Sequence, residues 1–228
     1  MQISFIIPVI NEVGNLQQAV ERAWKAGAHE VIIVDGGSDD GTWELANSLK
    51  CLALNSAPGR GIQLQAGAQV ATGNVLLFLH ADNWLASDAC QQIRERFPED
   101  ECFWGGFQQR IGSARWIYRV LEWGNAIRVR WQGLVYGDQG IFITRGLFEK
   151  VGGFPPQPLM EDFELSRRLY RVSNPVLLRG PIHLSNRRWA KFGVVRQTIL
   201  NWTLAAAYRL GASPNQLSKW YRRHDRKR

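Results

Sequence analysis

Short apolar blocks alternate with mixed segments along the first half of the chain. Four apolar runs, at residues 3–9, 30–34, 51–54 and 75–79, are typical of strands buried on both faces of a sheet. The segments between them carry apolar residues at helical spacing and predict helices at about 11–26, with Asn11 as N-cap, 43–49 and 58–70. This alternation predicts an α/β fold with a mainly parallel central sheet flanked by helices.

The second half of the chain has a less regular pattern. It predicts strands at 103–111, 141–144 and 176–178, a helix at 115–131 and another that opens at Met160-Glu161-Asp162. From Trp189 to Leu210, apolar residues recur every three or four positions and predict an amphipathic helix, and Ser213-Pro214 begins a further one. We expect a single domain over residues 1–228 with C-terminal amphipathic helices.

Charge is distributed unevenly along the sequence. The net charge is +8, but residues 179–228 contain twelve Lys or Arg and one acid, so this segment carries +11 and the rest −3. Such a segment favours an anionic surface, either lipid head groups, a phosphorylated substrate or nucleic acid. No nucleic-acid-binding motif accompanies the charge, so we expect no nucleic-acid partner. The sequence shows no signal peptide and three cysteines without metal-ligand spacing, which predicts a cytoplasmic protein.

Polar side chains follow each predicted strand of the first half. Asn11 and Glu12 follow the first strand, Asp35 the second, and His80 and Asp82 the fourth. Because the carboxyl ends of parallel strands meet at one sheet edge, these residues are expected to form one nucleotide-binding site. Asp82 could hold a divalent metal and, through it, a phosphate. It could equally shape the turn or cap the following helix.

Four motifs occur in the order found in family 2 glycosyltransferases of the GT-A fold, which the chain resembles over roughly residues 2 to 172. They are residues 6–12 (IIPVINE), 34–42 (VDGGSDDGT), 80–82 (HAD) and 161–162 (ED). The segments 59–61 (GRG), 78–82 (FLHAD), 137–140 (GDQG) and 187–189 (RRW) are similar to a bacterial subgroup named for arsenosugar biosynthesis or for association with radical-SAM/selenodomain proteins. The resemblance implies inverting transfer of a sugar from a UDP- or GDP-sugar to a hydroxyl acceptor, with Mg²⁺ or Mn²⁺.

The resemblance also implies a role for individual residues. Residues 1–82 would form a nucleotide-binding half, 83–185 an acceptor half, and 186–228 basic amphipathic helices. Asp162 would be the general base, and Asp82 would hold the metal on the diphosphate. Further nucleotide-sugar contacts are expected at Pro8, Asn11, Glu12, Asp35, Arg60, His80 and Ala81. Acceptor or diphosphate contacts are expected at Asp138, Glu161, Arg187, Arg188 and Trp189.

Two positions depart from the family pattern, and several residues have a structural alternative. The paired acids after the second strand are Asp35-Gly36 here, and the Asp-x-Asp triplet is His80-x-Asp82. Asp35 could instead shape its turn, and Asp162 could be an acid favoured by a helix N-terminus. His80 could be a metal ligand, a ribose contact or a strand-end histidine. Arg187 and Arg188 could form a solvated basic face.

Other function classes explain less of the sequence. A sugar-1-phosphate nucleotidyltransferase would place a glycine-rich basic loop after the first strand, where this chain has PVINE. A dehydrogenase is disfavoured because no G-x-G-x-x-G follows that strand. A non-catalytic protein that binds anionic surfaces would account for the basic C-terminus but not for the acids of the first half. We expect peripheral attraction of residues 219–228 to anionic membrane at its inner face, or to a phosphorylated acceptor.

Overall fold

The computed structural model describes residues 1–98 and 101–226, with side chains given except at Arg187, Arg188, Lys191 and residues 222–226. The strands within these ranges are β1 Ile3–Val9, β2 Glu30–Asp35, β3 Leu52–Asn55, β4 Val75–Phe78, β5 Trp84–Leu85, β6 Trp104–Ile111, β7 Ile141–Thr144 and β8 Val176–Leu184. The helices are α1 Val13–Lys25, α2 Thr42–Ser48, α3 Arg60–Val70, α4 Ala89–Arg96, α5 Trp116–Gln132, α6 Arg145–Lys150, α7 Glu161–Tyr170, α8 Arg187–Phe192, α9 Val194–Arg209 and α10 Pro214–Arg226. A 3₁₀ turn covers Gly137–Gln139.

These strands form a sheet in the order β3-β2-β1-β4-β7-β6-β8-β5. The first four are parallel, as the alternation of strands and helices predicts, and their carboxyl ends are in register. Val9 pairs with Asp35, and Asp35 pairs with Asn55. Beyond β4 the sheet is mixed, because β7 runs antiparallel to both of its neighbours while β6 and β8 are parallel. The expected convergence of polar strand ends is therefore present.

The central strands are buried on both faces, which explains their continuous apolar sequences. Phe5 and Ile7 face one hydrophobic cluster, and Ile6 faces the other, because successive side chains of a strand point to opposite faces. The first cluster packs under α1 and α4. The second is covered by α3 and α7, so the N-terminal ends of those two helices reach the carboxyl edge of the sheet.

Asn11 does not cap α1, so this detail of the sequence prediction is wrong. The helix begins one residue after Glu12, and Asn11 adopts the left-handed conformation with φ of 55°. Its side-chain oxygen accepts a hydrogen bond from the Asp39 N–H at 3.0 Å, and its own N–H donates to Ser38 Oγ at 2.9 Å. Asn11 therefore braces the β1–α1 loop against the β2–α2 loop instead of starting a helix.

The C-terminal third also differs from the sequence prediction. β8 continues to Leu184 instead of ending near 178, because a register shift between Phe107 and Gln109 of β6 accommodates Gly180-Pro181. The single helix expected at 189–210 is divided into α8 and α9 at Gly193, where φ is 83°. No helix in the described part of the chain is long and apolar enough to span a membrane.

Candidate active site

Asp35 lies at the end of β2 and uses one carboxylate oxygen to build the following turn. Oδ1 accepts hydrogen bonds from the N–H groups of Gly37 and Ser38, both at 2.9 Å, and from Ser38 Oγ at 2.8 Å. Oδ2 is buried and has no hydrogen-bond partner among the described residues. One oxygen of Asp35 therefore shapes the turn, and the expected contact of the other oxygen with the nucleotide base stays a prediction.

The loop after β1 is held beside this turn by hydrogen bonds from several elements. The Glu12 N–H donates to Thr42 Oγ1 at 2.9 Å, and the Val13 N–H donates to Asp40 Oδ2 at 3.2 Å. Beneath them, the buried Gln63 amide of α3 donates to the carbonyls of Val9 at 2.9 Å and Val34 at 2.8 Å. These bonds fix the ends of β1 and β2 relative to α3.

The first turns of α3 and α7 meet across the site through an ion pair. Arg60, the first residue of α3, donates through Nε to Glu161 Oε1, the first residue of α7. The close approach of α3 to the loop before α7 requires glycine at 61, because a Cβ there would lie 2.5 Å from the Pro155 carbonyl oxygen. Burial alone would lower the pKa of Arg60, but the nearby Glu161 and Asp162 carboxylates raise it above its ordinary value. Arg60 is therefore a permanent cation in the site.

Asp162 is half-buried and faces the 3₁₀ turn at Gly137. Its Oδ2 accepts a hydrogen bond from the Gly137 N–H at 2.8 Å, and its Oδ1 accepts one from the Phe163 N–H at 2.7 Å. A side chain at 137 would have to displace the His80 ring, since a Cβ would lie 2.9 Å from His80 Nε2 and 3.4 Å from Asp162 Oδ2. This glycine therefore brings His80 at the end of β4 close to Asp162 at the start of α7.

A second group of polar side chains lies behind Asp162 and was only partly found from the sequence. Arg128 of α5 stacks on the Tyr136 ring, 3.6 Å from its centre, and donates to Gln139 Oε1 at 2.6 Å. Asp138 Oδ1 has no hydrogen-bond partner in the described structure. Burial raises the pKa of Asp138, and the charge of Asp162 raises it further, although Arg128 opposes both. The sequence pointed to Asp138 but not to Arg128 or Tyr136, because a single Arg in a helix is not distinguishable from a surface charge.

One pocket joins the Arg60–Glu161 ion pair with His80 and Asp162, whereas Asp35 and Asp138 are not among its lining residues. It is lined by the end of β1, the start of α3, the end of β4 and the start of α7, with Pro8, Arg60, His80, Gly137, Glu161 and Asp162 among its residues. The second carboxylate oxygen of Glu161 is also buried without a partner among residues whose side chains are given. Burial raises the pKa of Glu161, with a further contribution from Asp162, while Arg60 opposes the shift.

The remaining residues singled out from the sequence are not among those that line this pocket. Ala81 is buried, and Asp82 is half-buried in the turn that follows β4. Trp189 packs edge-on against Tyr118, with ring centres 6.2 Å apart, and also contacts the core, so the structure places it against α5 and not in the pocket lining. The side chains of Arg187 and Arg188 lie outside the described residues, and their expected contacts stay predictions.

The side chains after β4 limit how a metal could be held. No group of three or more His, Cys, Asp or Glu able to hold a metal ion is found in residues 1–98 and 101–226 where side chains are given. Asp82 and His80 provide one carboxylate and one imidazole within three residues. Mg²⁺ is commonly held by one or two carboxylates together with substrate phosphates. The donor set therefore fits a metal that requires a diphosphate as a further ligand, and does not fit one held by the protein alone.

A site with these features, at the carboxyl edge of an α/β sheet, is typical of nucleotide-binding enzymes. The family model described as "Glycosyl transferase family 2" matches residues 4–154, and the chain belongs to this family. The PGL/p-HBAD biosynthesis glycosyltransferase of Mycobacterium bovis (strain BCG / Pasteur 1173P2) is 27% identical over 217 residues, which cover 87% of this chain and 80% of the relative. The dolichol-phosphate mannosyltransferase of Pyrococcus furiosus is 31% identical over 195 residues, covering 79% and 53%.

Solved structures with the same architecture confirm the GT-A fold. Staphylococcus aureus TarS, residues 1–349, in complex with UDP-GlcNAc matches with a TM-score of 0.63 at 16% identity, covering 81% of this chain and 58% of TarS. Glucosyl-3-phosphoglycerate synthase of Mycobacterium tuberculosis, in complex with Mn²⁺, UDP and phosphoglyceric acid, matches with a TM-score of 0.55 at 17% identity, covering 81% and 69%. At these identities the likeness shows the fold alone.

Proposed function

We propose that this chain is a metal-dependent, inverting glycosyltransferase that moves a sugar from a UDP- or GDP-sugar to a hydroxyl acceptor. The observation that carries the proposal is the pocket that brings Arg60, His80 and Asp162 together beside the ends of β1 and β4. Family membership supports sugar transfer, and the UDP complexes of two fold relatives support UDP as the first nucleotide to test. The motifs at 59–61 and 137–140 further support placement in the arsenosugar-named bacterial subgroup.

In this proposal the ends of β1 and β2 bind the nucleoside. Asp35 Oδ2, the unpartnered buried oxygen, accepts a hydrogen bond from the base. Pro8, Asn11 and Glu12 form the neighbouring wall. The Arg60 guanidinium contacts the diphosphate, and Asp82 holds Mg²⁺ or Mn²⁺ on it, with His80 and Ala81 beside the ribose. When bound, the metal would stabilise the charge that develops on the departing diphosphate.

Asp162 is proposed to accept the proton of the acceptor hydroxyl. As that oxygen forms a bond to the anomeric carbon, the bond from this carbon to the diphosphate oxygen breaks and the nucleoside diphosphate leaves from the opposite face. The hydrogen bonds from Gly137 and Phe163 hold the Asp162 carboxylate in place but leave lone pairs for the incoming proton. Asp138 and Glu161, each with a buried unpartnered oxygen, are proposed to contact sugar or acceptor hydroxyls.

The proposed localisation rests on the positive charge of the C-terminal segment. We propose that the protein is cytoplasmic and that residues 219–228 give it a weak, salt-sensitive attraction to anionic lipid, since each basic residue near such a surface contributes about 1 kcal/mol. The side chains after Tyr221 are not described, so this proposal is supported by sequence charge alone.

The first experiment measures the melting temperature with nucleoside diphosphates, with and without Mn²⁺. A ligand that binds the folded state raises the melting temperature by mass action, so UDP or GDP should stabilise the protein more when Mn²⁺ is present. Asp82→Asn should abolish the part of the rise in melting temperature that depends on Mn²⁺. Asp88→Asn is the matched control, because Asp88 lies six residues away and its side chain makes no capping hydrogen bond to α4.

Two results would contradict the proposal. Undiminished Mn²⁺-dependent stabilisation in Asp82→Asn would remove Asp82 from the metal site. Formation of a nucleotide-sugar and pyrophosphate from a sugar 1-phosphate and a nucleoside triphosphate, without transfer from a nucleotide-sugar, would replace the transferase by a nucleotidyltransferase.

A further inference from the structure

Two neighbouring helices expose large apolar side chains on their solvent faces. On α5, Trp116, Val120, Trp123 and Trp131 are 74%, 51%, 68% and 81% exposed. On α9, Val195, Ile199 and Trp202 are 61%, 54% and 69% exposed, and Leu210, which caps the end of this helix, is 88% exposed. We call these eight residues the tryptophan face. The residues that α9 buries are Val194, Gln197 and Leu204.

The apolar positions follow the same spacing on both helices. They occur at the first position and then four, seven and fifteen residues later, which places them on one side of a helix with 3.6 residues per turn. The opposite side of α5 carries the buried Tyr118 and Val129, so the tryptophans point away from the core. Each stripe runs for about 22 Å.

Two contacts connect α5 with the C-terminal helices. Trp189 of α8 packs on Tyr118 near the start of α5. Arg209, the last residue of α9, donates to Gln132 Oε1, at the end of α5, at 2.6 Å. The end of α9 therefore lies beside the end of α5, and α9 follows a helix that contacts the start of α5.

The charges beside the tryptophan face identify its partner. Arg115, Arg130 and Arg196 are exposed next to the stripes. The acid on α5, Glu122, is paired with Arg119 and accepts a hydrogen bond from the Ile111 N–H, and α9 has no acid. Trp and Leu on one face with Arg beside them are typical of helices that lie in the interface of an anionic membrane. Self-association through this face would bring like charges together.

We propose that the tryptophan face docks on the surface of an anionic lipid bilayer, with α5 and α9 lying in the interface. Arg128, three residues before Trp131 on α5, contacts the Tyr136 ring and lies near Asp138, so the docking helix also contributes to the candidate active site. The inference concerns binding alone and does not depend on sugar transfer.

The test is co-sedimentation with phosphatidylcholine vesicles that contain or lack phosphatidylserine, at low and high salt. The wild-type protein should sediment with the anionic vesicles and retain part of this binding at high salt, because burial of apolar surface is not screened. Trp116→Ser/Trp123→Ser/Trp131→Ser should lower the partition coefficient by at least about tenfold. Ile199→Ser/Trp202→Ser should lower it in the same direction.

Leu52→Ser/Val70→Ser/Val172→Ser is the matched control, because these residues are 44%, 41% and 47% exposed on other parts of the surface. It should sediment like the wild type. If the triple tryptophan variant melts early, the single changes Trp116→Ser and Trp202→Ser replace it. Wild-type protein that does not bind anionic vesicles would overturn the proposal. So would tryptophan variants that bind like the wild type, or that only dissociate a dimer seen by size-exclusion chromatography.

Discussion

Some carboxylate oxygens of the site accept hydrogen bonds from the backbone, and others are buried without a partner. Asp35 engages one oxygen in its turn, which confirms the structural interpretation, and keeps the other unpartnered, so the base contact stays a prediction. A sequence can indicate that an acid follows a strand, but it cannot show which oxygen is already engaged. It also cannot indicate Arg128 or Tyr136, since their contact depends on how α5 packs against the Gly137 turn.

Replacing Asp162 tests whether it acts on the acceptor or only supports the turn. Asp162→Asn should reduce turnover by about 10²- to 10⁴-fold, because an amide cannot take the acceptor's proton. The nucleotide should bind nearly as well, as the diphosphate contacts proposed for Arg60 and Asp82 remain. Turnover and UDP affinity are measured separately, by steady-state kinetics and by calorimetry.

Asn at 162 would still accept one of the two backbone hydrogen bonds, and its NH₂ group would face the other donor. A structural role alone would therefore lower the melting temperature and UDP affinity together with turnover. Glu161→Gln provides the comparison, because it weakens the partner of Arg60 and should raise the KM for the donor more than it lowers kcat. Equal losses of affinity and turnover in Asp162→Asn would remove it as the general base.

Whole elements were predicted well where hydrophobic spacing decides the structure. The strands β1, β2, β4 and β7 and the helices α3, α5 and α7 lie within a few residues of their predicted positions, because each buries a face or is buried entirely. The pattern was less informative for β8 and for the 189–210 segment. There, a register shift in β6 and the left-handed Gly193 depend on packing that single-sequence spacing does not contain.

Glu30 at the start of β2 connects three elements and gives a pH-dependent prediction. Its Oε1 accepts hydrogen bonds from Ser4 Oγ at 2.5 Å, Thr72 Oγ1 at 2.8 Å and the Gly73 N–H at 3.2 Å. Partial burial alone would raise the pKa of Glu30, but these bonds lower it below its ordinary value of 4.5. The ionised form therefore stabilises the junction of β1, β2 and β4.

Glu30→Gln should lower the free energy of unfolding by about 1 kcal/mol at neutral pH, a value reduced for solvent exposure. Because the folded-state pKa is depressed, the wild-type advantage is complete above pH 4.5 and is lost as the pH falls through the folded-state value. Urea unfolding at several pH values measures this. Glu21→Gln, at an exposed site on α1, is the control for removing a carboxylate from the surface. A constant difference across the range would show that hydrogen-bond geometry and not charge is responsible.

At the scale of the molecule, the sheet joins two parts of different character at the β4–β7 pair. The parallel part contains β1 to β4, and the mixed part contains β5 to β8. The alternation of strands and helices predicted the first part, whereas the antiparallel insertion of β7 between β4 and β6 depends on long-range pairing that no local pattern specifies. The same is true of the tryptophan face, since exposure is a property of the packed molecule.

Arg145, the first residue of α6, connects the two parts. It follows β7, yet its guanidinium donates to the carbonyls of Ala68 at 3.3 Å, Ala71 at 2.5 Å and Gly73 at 2.8 Å, at and just beyond the C-terminal end of α3. A cation is favoured there by the helix dipole, and the planar fork of Arg reaches several oxygens at once.

Arg145→Met should lower the free energy of unfolding by about 2–3 kcal/mol, because several carbonyls lose a charged donor. Arg145→Lys should fall between Met and wild type, since an ammonium cannot reproduce the fork. Lys150→Met, at the exposed end of α6, is the control and should change stability little.

We predict that residues 1–228 unfold as one domain, so circular dichroism and tryptophan fluorescence should give coincident urea transitions in every variant. Separate transitions in the wild type would divide the chain at the β4–β7 pair, and an unchanged midpoint in Arg145→Met would show that the strand pairing alone holds the two parts together.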